Sequence, residues 1–249
     1  MDKIDFVIPW VDGNDEEWRE QKREFSHENN VSCDDRDIRY KDWDNLQYWF
    51  RGVEKYAPWV NRIHFVTWGH LPSWLNVEHP KLHVVRHEEY IPQEYLPTFS
   101  SHTIELNLHR IPGLAEQFVY FNDDTFLVNE VSPQDFFQNG LPADSLISNV
   151  ITPLADTINS VSYHNVEVIN RHFSKAELLK KNRSKYFSTR YGKDNIRNLL
   201  LLSWKQHTGF YDFHIPYSYT KTLFEEVWRE EQTLLDETCR HRFRNLNDV

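Results

Sequence analysis

The chain of 249 residues has few glycines, almost no cysteine and no long hydrophobic run. Its 7 glycines stand beside 9 Trp, 12 Tyr and 16 Phe, which excludes a disordered, collagen-like or low-complexity chain. The 2 cysteines, Cys33 and Cys239, form no CxxC pair, so we expect neither a disulfide scaffold nor a zinc knuckle. Apolar runs such as Leu199 to Leu202 are far too short to span a membrane.

Positive charge is also scarce. The 38 acidic and 28 basic residues give a formal net charge of −10, so a nucleic-acid groove built on bulk positive charge is not expected. The first residues, Met1 to Asp5, lack the basic and apolar regions of a signal peptide. Together with the free thiols, this favours a cytoplasmic location and leaves attachment to a membrane surface open.

Hydrophobic periodicity predicts strands and helices in alternation. Strands are expected over residues 4–11, 63–68, 82–86 and 118–121, with helices from Asp44 to a stop at Pro58 and over residues 101–110. This order is typical of an α/β sheet with helices on its faces.

Two prolines and a glycine within residues 132–145 indicate a domain boundary. We therefore expect an α/β core over residues 1–145 and a helical lobe over residues 146–249. In that lobe, helices are predicted over residues 193–206 and 218–240.

The sharpest chemical signal is the segment Tyr120-Phe121-Asn122-Asp123-Asp124. An apolar strand that ends in two carboxylates places them at the carboxyl edge of the sheet, where open α/β folds bind ligands. Mg²⁺ is typically held by one or two carboxylates plus substrate phosphates, so Asp123 and Asp124 are predicted to bind a divalent cation. The structural alternative makes Asp123 a turn residue and Asp124 a helix cap.

A second polar segment, Trp10 to Asp15, also follows a predicted strand. Gly13 would let backbone N–H groups approach a phosphate, and Asp12 or Asn14 could hold a ribose or a base edge. An ordinary Asx-Gly turn is the alternative, and this segment taken alone favours the turn slightly. The segment is neither a Walker loop nor a GxGxxG motif.

The predicted helix over residues 101–110 places His102, Glu105 and His109 on one side. Their spacing is not HExxH, so hydrogen bonding to a substrate, together with Ser101 at the helix start, is favoured over a zinc site. Arg110 at the far end would either pair with a phosphate or extend its guanidinium into solvent.

Two further candidates lie near the end of the chain. His214 is a lone histidine between apolar residues, and it is either a hydrogen-bonded structural residue or a base for a substrate hydroxyl near pH 7. Arg240, Arg242 and Arg244 alternate at the end of a predicted helix. They either complement the helix dipole or bind a phosphate in bidentate fashion.

Four longer strings together resemble one known family: IDFVIPWVDGND, DNLQYWFRGVEKYAPWVNRIHFVTWGHLPSWL, LPTFSSHTIELNLHRIPGLAEQFVYFNDDTFL and HIPYSYTKTLFEE. They are similar to the Stealth proteins, bacterial capsular-polysaccharide phosphotransferases that resemble the catalytic part of animal GlcNAc-1-phosphotransferase. The resemblance covers residues 4–145 and resumes over residues 213–249, while residues 150–210 match no segment of the family. Because the family has a fourth segment and this chain ends inside the third, we expect a truncated chain or a site completed differently.

The resemblance implies a Rossmann-like core, similar to nucleotide-sugar transferases, with a helical second lobe that completes one composite catalytic domain. It implies transfer of a sugar 1-phosphate from a UDP-sugar, such as UDP-GlcNAc or a UDP-hexose, to a hydroxyl of an oligosaccharide or lipid-linked glycan. Mg²⁺ or Mn²⁺ is the implied cofactor. Peripheral association with membrane capsule machinery, at the inner face of a bacterial membrane, is the implied setting.

The resemblance also assigns roles to individual residues. Trp10, Asp12, Gly13 and Asn14 would hold the nucleotide, Asn122, Asp123 and Asp124 the diphosphate and its metal, His214 would be the base, and Arg244 would bind phosphate. Arg39 and Asn45 fall in the charged stretch that precedes the second family segment.

Two other functions remain open for the same residues. A metal-dependent glycosyltransferase would attack the anomeric carbon of the sugar and release UDP. A non-catalytic carbohydrate-binding module would use the many Trp and Tyr side chains, although paired acids at a strand end disfavour it.

Overall fold

The computed structural model of the chain describes residues 3–26, 33–152, 154 and 157–249. The strands are β1 (Ile4–Trp10), β2 (Cys33–Asp34), β3 (Ile63–Thr67), β4 (Leu82–Arg86), β5 (Gln117–Tyr120), β6 (Phe137–Gln138), β7 (Leu141–Pro142), β8 (Tyr217–Thr220) and β9 (Arg244–Asn245). The α-helices are α1 (Glu16–Ser26), α2 (Leu46–Tyr56), α3 (Ser101–Leu106), α4 (Pro133–Phe136), α5 (Thr157–His172), α6 (Lys175–Tyr186), α7 (Asn195–Leu200), α8 (Lys221–Glu230) and α9 (Gln232–Arg240). Single 3₁₀ turns include Asp37–Tyr40 and Leu108–Arg110.

The chain folds into two compact units. The first comprises Met1–Ala143 and His214–Arg244, and the second comprises Asp144–Phe213 and Asn245–Val249. The expected division into residues 1–145 and 146–249 differs from this arrangement, because the chain returns to the first unit at His214. The return is made by β8, which pairs with β5 instead of continuing a helical lobe.

A five-stranded sheet in the order β4-β3-β1-β5-β8 forms the centre of the first unit. The first four strands of that order are parallel, and β8 runs antiparallel to β5 with Tyr217 opposite Tyr120. Parallel strands flanked by helices confirm the expected α/β, Rossmann-like core. The carboxyl ends of β1, β3 and β5 therefore share one edge of the sheet with the start of β8.

Both faces of the sheet are buried, as the sequence predicts for residues 118–121. In β1, Phe6, Ile8 and Trp10 alternate onto one face and pack against α2. Helix α2 presents Leu46, Trp49 and Val53 to that face at helical spacing. On the other face, Val7, Phe118 and Tyr120 form a second cluster with partly buried rings of α8 and with Cys239 of α9. The two clusters hold the edge of the sheet rigidly in place.

Three predicted helices of the first unit differ from the structure. The helix expected over 101–110 ends at Leu106 and continues only as the 3₁₀ turn Leu108–Arg110. The helix expected over 218–240 is instead β8 followed by α8 and α9, because Thr220 caps α8 by accepting a hydrogen bond from the Leu223 N–H. The cap of α2 is Asn45 rather than Asp44, whose φ of 53° places it in a turn.

The second unit is mainly helical and contains α5, α6 and α7, the last of which is much shorter than the predicted 193–206. Its buried centre includes Tyr186, whose hydroxyl lies 2.8 Å from the Ser148 Oγ. None of the helices in the described part of the chain has the length and apolarity that crossing a bilayer requires.

Candidate functional site

The end of β5 and the start of β8 bring His214 and Asp124 together. Asn122 to Asp124 follow β5, and His214 precedes the antiparallel β8 by a few residues, so both reach the same edge of the sheet. The His214 Nε2 lies 3.2 Å from each carboxylate oxygen of Asp124. Their side chains are 61% and 56% exposed, so a substrate has access to both. His214 has a φ of 47°, a left-handed conformation that histidine tolerates better than most residues.

Asp123 lies in a strongly negative environment. Partial burial raises the pKa of its carboxyl, and the charges of Asp124 and Asp42 raise it further. The guanidinium of Arg244 is the nearby charge that opposes this rise. A cation at this point would relieve the repulsion between the two neighbouring carboxylates.

Arg244 is held against the start of α3. Its guanidinium donates a hydrogen bond of 2.8 Å to the Oγ of Ser101, the first residue of that helix. Glu105 follows one turn later on α3, and burial raises the pKa of its carboxyl. His102, Tyr120, Arg244 and Ser101 stabilise the ionised form and limit that rise. The structure thus brings Ser101, Glu105 and Arg244, three predicted site residues, into one cluster.

Tyr120 connects this cluster to the acidic turn. Its hydroxyl is shared between the Glu105 carboxylate and the Asn122 Oδ1, which is 3.1 Å away. The ring is buried, and this burial together with Glu105 raises the pKa of the phenol well above its usual value. Neutral Tyr120 is therefore a fixed donor that orients the start of the Asn122–Asp124 turn.

The donor set at the end of β5 fits a hard divalent cation shared with a substrate. Asp123 and Asp124 offer carboxylate oxygens in a place where negative charge is poorly compensated. Within the described residues, no group of three or more His, Cys, Asp or Glu side chains converges on one point. Mg²⁺ commonly uses one or two carboxylates and completes its shell with phosphates and water, so these residues suit it better than a closed zinc site.

The segment after β1 forms an Asx turn, the simpler of its two interpretations. The Asn14 N–H donates 2.8 Å to the Asp12 Oδ1, and the Asp15 N–H donates to the Asp12 carbonyl. A Cβ at Gly13 would overlap the backbone carbonyl of Tyr40, so glycine is required there by close packing. Trp10 lies in the core, with its ring stacked 5.8 Å from that of Phe65. The N–H groups of Asn14 and Asp15 are engaged within the turn, so they do not form a phosphate-binding loop. The exposed side chain of Asn14 is the group that this segment presents to a nucleotide.

His70 fixes this turn and was missed by the sequence analysis. Its Nε2 accepts a 2.8 Å hydrogen bond from the Asp12 N–H, which is therefore engaged within the protein. Burial lowers the pKa of the His70 ring, opposed by the charges of Asp15 and Asp12. The sequence could have pointed to His70, because it follows β3 closely and therefore lies at the same edge of the sheet as Asp12 and Asn122. Asp42, whose charge acts on Asp123, was missed as well.

The structure does not bring Arg39 and Asn45 into contact with these side chains. Arg39 donates 2.8 Å to the Asp34 carboxylate, whose pKa is lowered by hydrogen bonds from Arg36 and then Arg39 despite its burial. Asn45 precedes α2, and its carbonyl accepts from the Tyr48 N–H. Among the described contacts, both residues support local structure.

Arg110 and His109 point away from the acidic turn, because the chain leaves α3 at Leu106. The Arg110 guanidinium lies 5.0 Å over the Trp228 ring, in a cavity of about 420 Å³ that also includes Tyr95 and Asp236. The ring of His109 is buried and stacks 5.5 Å from that of Phe224. The expectation that His109 shares a substrate-facing side with Glu105 is therefore wrong.

The three alternating arginines also separate. Arg240 pairs with Asp236 on the surface of α9, and Arg242 donates 2.8 Å to the Pro97 carbonyl. Of the three, Arg244 alone contacts the described Ser101–Glu105 cluster.

The chain is similar to known proteins over its whole length. Two family profiles match the chain: Stealth protein CR1, conserved region 1, over residues 2–30, and Stealth protein CR2, conserved region 2, over residues 39–144. The capsular polysaccharide phosphotransferase WcwK of Streptococcus pneumoniae is 46% identical over 250 residues, which is 100% of this chain and 75% of that protein. The exopolysaccharide phosphotransferase cps2G of Lactiplantibacillus plantarum is 43% identical over 98% of this chain and 72% of its own length.

A third relative, the receptor polysaccharide phosphotransferase WefC of Streptococcus gordonii, is 42% identical over 100% of this chain and 75% of its own length. Because such alignments run through the whole chain, residues 150–210 also have counterparts in these relatives. The stretch that the sequence left without a match therefore does have one in these relatives, although the two family profiles do not cover it.

Proposed function

Because this chain belongs to the Stealth protein family, we propose that it transfers a sugar 1-phosphate from a UDP-sugar to a hydroxyl of an acceptor sugar. Its relatives are phosphotransferases of capsular, exopolysaccharide or receptor polysaccharides, which supports phosphotransfer in polysaccharide assembly. The proposed donor is UDP-GlcNAc or another UDP-hexose. The proposed acceptor is an oligosaccharide or a lipid-linked glycan.

The observation that carries the proposal is the pairing of His214 with Asp124 beside Asp123. A histidine and a pair of carboxylates lie at one edge of the sheet, and the charge of Arg244 acts on Asp123. Phosphoryl-type transfer depends on positioning and charge neutralisation more than on covalent catalysis, and these groups supply both.

In the proposed reaction, the acceptor oxygen attacks the β-phosphorus of the donor. The bond from that phosphorus to the oxygen bridging to the α-phosphate breaks, and UMP leaves. The sugar stays attached to its phosphate, so the product is a phosphodiester. Negative charge stays on the oxygens around phosphorus, which explains the use of Arg244, whose planar guanidinium can bind two oxygens at once.

His214 is proposed to take the proton of the acceptor hydroxyl. An ionised Asp124 can only accept a hydrogen bond, so the Nε2 of a neutral His214 carries the proton and the lone pair is at Nδ1. Asp124 then orients the ring and stabilises the imidazolium that forms when Nδ1 is protonated.

Asp123 and Asp124 would hold Mg²⁺ or Mn²⁺ together with phosphate oxygens of the donor, and the ion would neutralise charge on the diphosphate. At the other end of the donor, the side chains of Asp12 and Asn14 are proposed to meet the nucleoside. Ser101 and Glu105 position Arg244 through the contacts described above.

The experiment that tests the proposal uses a UDP-sugar labelled with ³²P at the β-phosphate. With an accepted sugar, label is expected in the acceptor product and UMP is expected as the by-product. Label leaving as UDP, together with an unlabelled disaccharide, would instead establish a glycosyltransferase. Binding of saccharide without turnover of any donor would favour the carbohydrate-binding module. The H214N variant serves as the inactive control.

A further inference from the structure

The second unit presents an apolar helix face to solvent. Ile196, Leu199 and Leu200 lie on one side of α7 at the i, i+3, i+4 spacing, and they are 59%, 62% and 68% exposed. Leu202 and Trp204 extend this patch into the turn that follows, at 40% and 54% exposed. We call these five side chains the α7 patch. The reaction proposed above uses none of them.

Buried hydrogen bonds fix the direction in which α7 faces. Asn198, on the opposite side of the helix, is fully buried, donates to the carbonyls of Leu146 and Tyr186, and accepts from the Ser148 N–H. The buried ammonium of Lys175 donates 2.6 Å to the Leu201 carbonyl and 3.0 Å to that of Trp204. The patch is therefore held outward by the fold rather than exposed by fraying.

The segment that carries the α7 patch is rich in positive charge, in a chain that is otherwise acidic. Residues 175–205 contain nine Lys or Arg and two Asp or Glu, whereas the whole chain has a formal net charge of −10. The two acids are engaged, Glu177 with Lys181 and Asp194 with Arg197. Within the described residues, no carboxylate lies in ion-pair range of the six other exposed cations: Lys180, Arg183, Lys185, Arg190, Lys193 and Lys205.

Two of the six cations, Lys193 and Lys205, bracket the α7 patch in sequence. Both ends of α6 contact α7 or the turn after it, Lys175 through the Leu201 carbonyl and Tyr186 through the Asn198 amide. The exposed lysines of α6 therefore belong to a helix that contacts α7 and the turn after it within the same unit.

We infer that the second unit binds the surface of an anionic lipid bilayer through the α7 patch, with the flanking lysines and arginines over the lipid phosphates. Leucine, isoleucine and tryptophan are the side chains that enter the boundary between headgroups and acyl chains, and nearby cations are attracted to anionic lipid. A protein partner or a second copy would also bury the apolar side chains. The excess of cations that have no carboxylate partner in the described part of the chain favours a dense, uniform negative surface over such partners.

The test uses the full chain with vesicles of phosphatidylcholine alone or mixed with phosphatidylglycerol, in a flotation assay. Binding is expected to the mixed vesicles and to weaken with added salt. The triple variant I196S/L199S/L200S is expected to bind at least roughly tenfold more weakly, because the apolar insertion is lost. K193E/K205E is expected to lose roughly fivefold or more per substitution on the anionic vesicles.

Two control variants test whether binding depends on the α7 patch or on any exposed apolar or charged side chain. V128S/L141S removes exposed apolar side chains from the first unit, and K3E/K55E reverses exposed charges there, so both are expected to bind like the parent. Brominated phosphatidylglycerol is expected to quench parent fluorescence, and W204F is expected to bind but to lose most of that quenching.

Absence of binding to the mixed vesicles would overturn the inference. So would equal binding of the triple variant and its V128S/L141S control, or quenching that W204F leaves unchanged. A parent that self-associates in solution through the α7 patch and ignores vesicles would assign the patch to a second copy. None of these results depends on phosphotransfer, so they are separate from the outcome of the labelled-donor experiment.

Discussion

The imidazole Nε2 of His214 lies 3.2 Å from both carboxylate oxygens of Asp124, although 90 positions separate the two residues in the chain. The contact exists because β8 returns antiparallel to β5, with Tyr217 opposite Tyr120, and carries the segment before it to the carboxyl end of β5. A carboxylate next to a histidine can orient the imidazole for proton transfer, which is the role proposed for this pair.

Replacing His214 tests its role as the base. H214N keeps a residue that tolerates the left-handed backbone at this position but removes the imidazole. We expect kcat to fall by roughly 10²–10⁴-fold with donor affinity nearly unchanged. The matched control is H79N, which replaces an exposed histidine between β3 and β4. This variant should behave like the parent. Normal turnover with a lowered melting temperature in H214N would make His214 a structural residue.

The adjacent carboxylates are tested by D123N and D124N. Either change removes an oxygen ligand of the proposed cation. Activity should therefore drop sharply, and the Mg²⁺ concentration that gives half-maximal activity should rise. Since Asp123 and Asp124 repel each other, D123N should be at least as stable as the parent in thermal unfolding. This separates loss of the cation from misfolding. The control is E130Q, which changes an exposed acid a few residues further along the chain and should behave like the parent. Full activity of D123N and D124N would show that neither carboxylate holds the cation.

Arg244 is tested by comparing two substitutions. A lysine ammonium cannot hold two phosphate oxygens at fixed geometry or keep the 2.8 Å contact with Ser101, so R244K should be nearly as damaging as R244A. R240K is the paired control, because Arg240 is engaged with Asp236 on the surface of α9. The measurement is kcat/KM for the donor, and parental activity in R244K would reduce the role of Arg244 to surface charge.

The α/β core and the acidic turn were predictable because both are local in sequence. Alternation in β1 and the apolar run of β5 determine strands, and Asp123 and Asp124 follow the second directly. β8 was not predicted, since the alternation of Tyr217 and Tyr219 covers only four residues and its partner strand lies about a hundred positions away. The Rossmann-like fold rests on several such local signals, whereas the site depends on one distant pairing.

The misplacement of Arg110 and His109 has a different cause. A continuous helix over 101–110 would place His109 on the side of Glu105, but the chain tightens into a 3₁₀ turn after Leu106 and carries His109 and Arg110 toward α8. The tertiary reason is the aromatic packing of Phe224 and Trp228, which sequence periodicity does not contain. His70 was overlooked because it fixes the turn after β1, a contact between residues 58 positions apart that no local pattern shows.

The buried His109 predicts how stability changes with pH. Burial, followed by the charges of Arg110 and Lys221, lowers the pKa of His109 to about 4. In the unfolded chain a histidine titrates near 6.5, so between these values the unfolded state binds more protons than the folded state. The free energy of unfolding should therefore fall as the pH drops from about 6.5 to about 4, by roughly 3 kcal/mol from this residue.

H109F isolates that contribution. Phenylalanine can keep the stacking with Phe224, and the Leu106 carbonyl still accepts a 2.7 Å hydrogen bond from the Trp228 Nε1. The variant should match the parent near pH 7 and become progressively more stable than the parent as the pH falls toward 4. Denaturant unfolding across this range provides the measurement, with H79Q at an exposed histidine expected to follow the parent curve. If the parent and H109F curves stay parallel down to pH 4, His109 is protonated in the folded protein and the aromatic packing around it accommodates the charge.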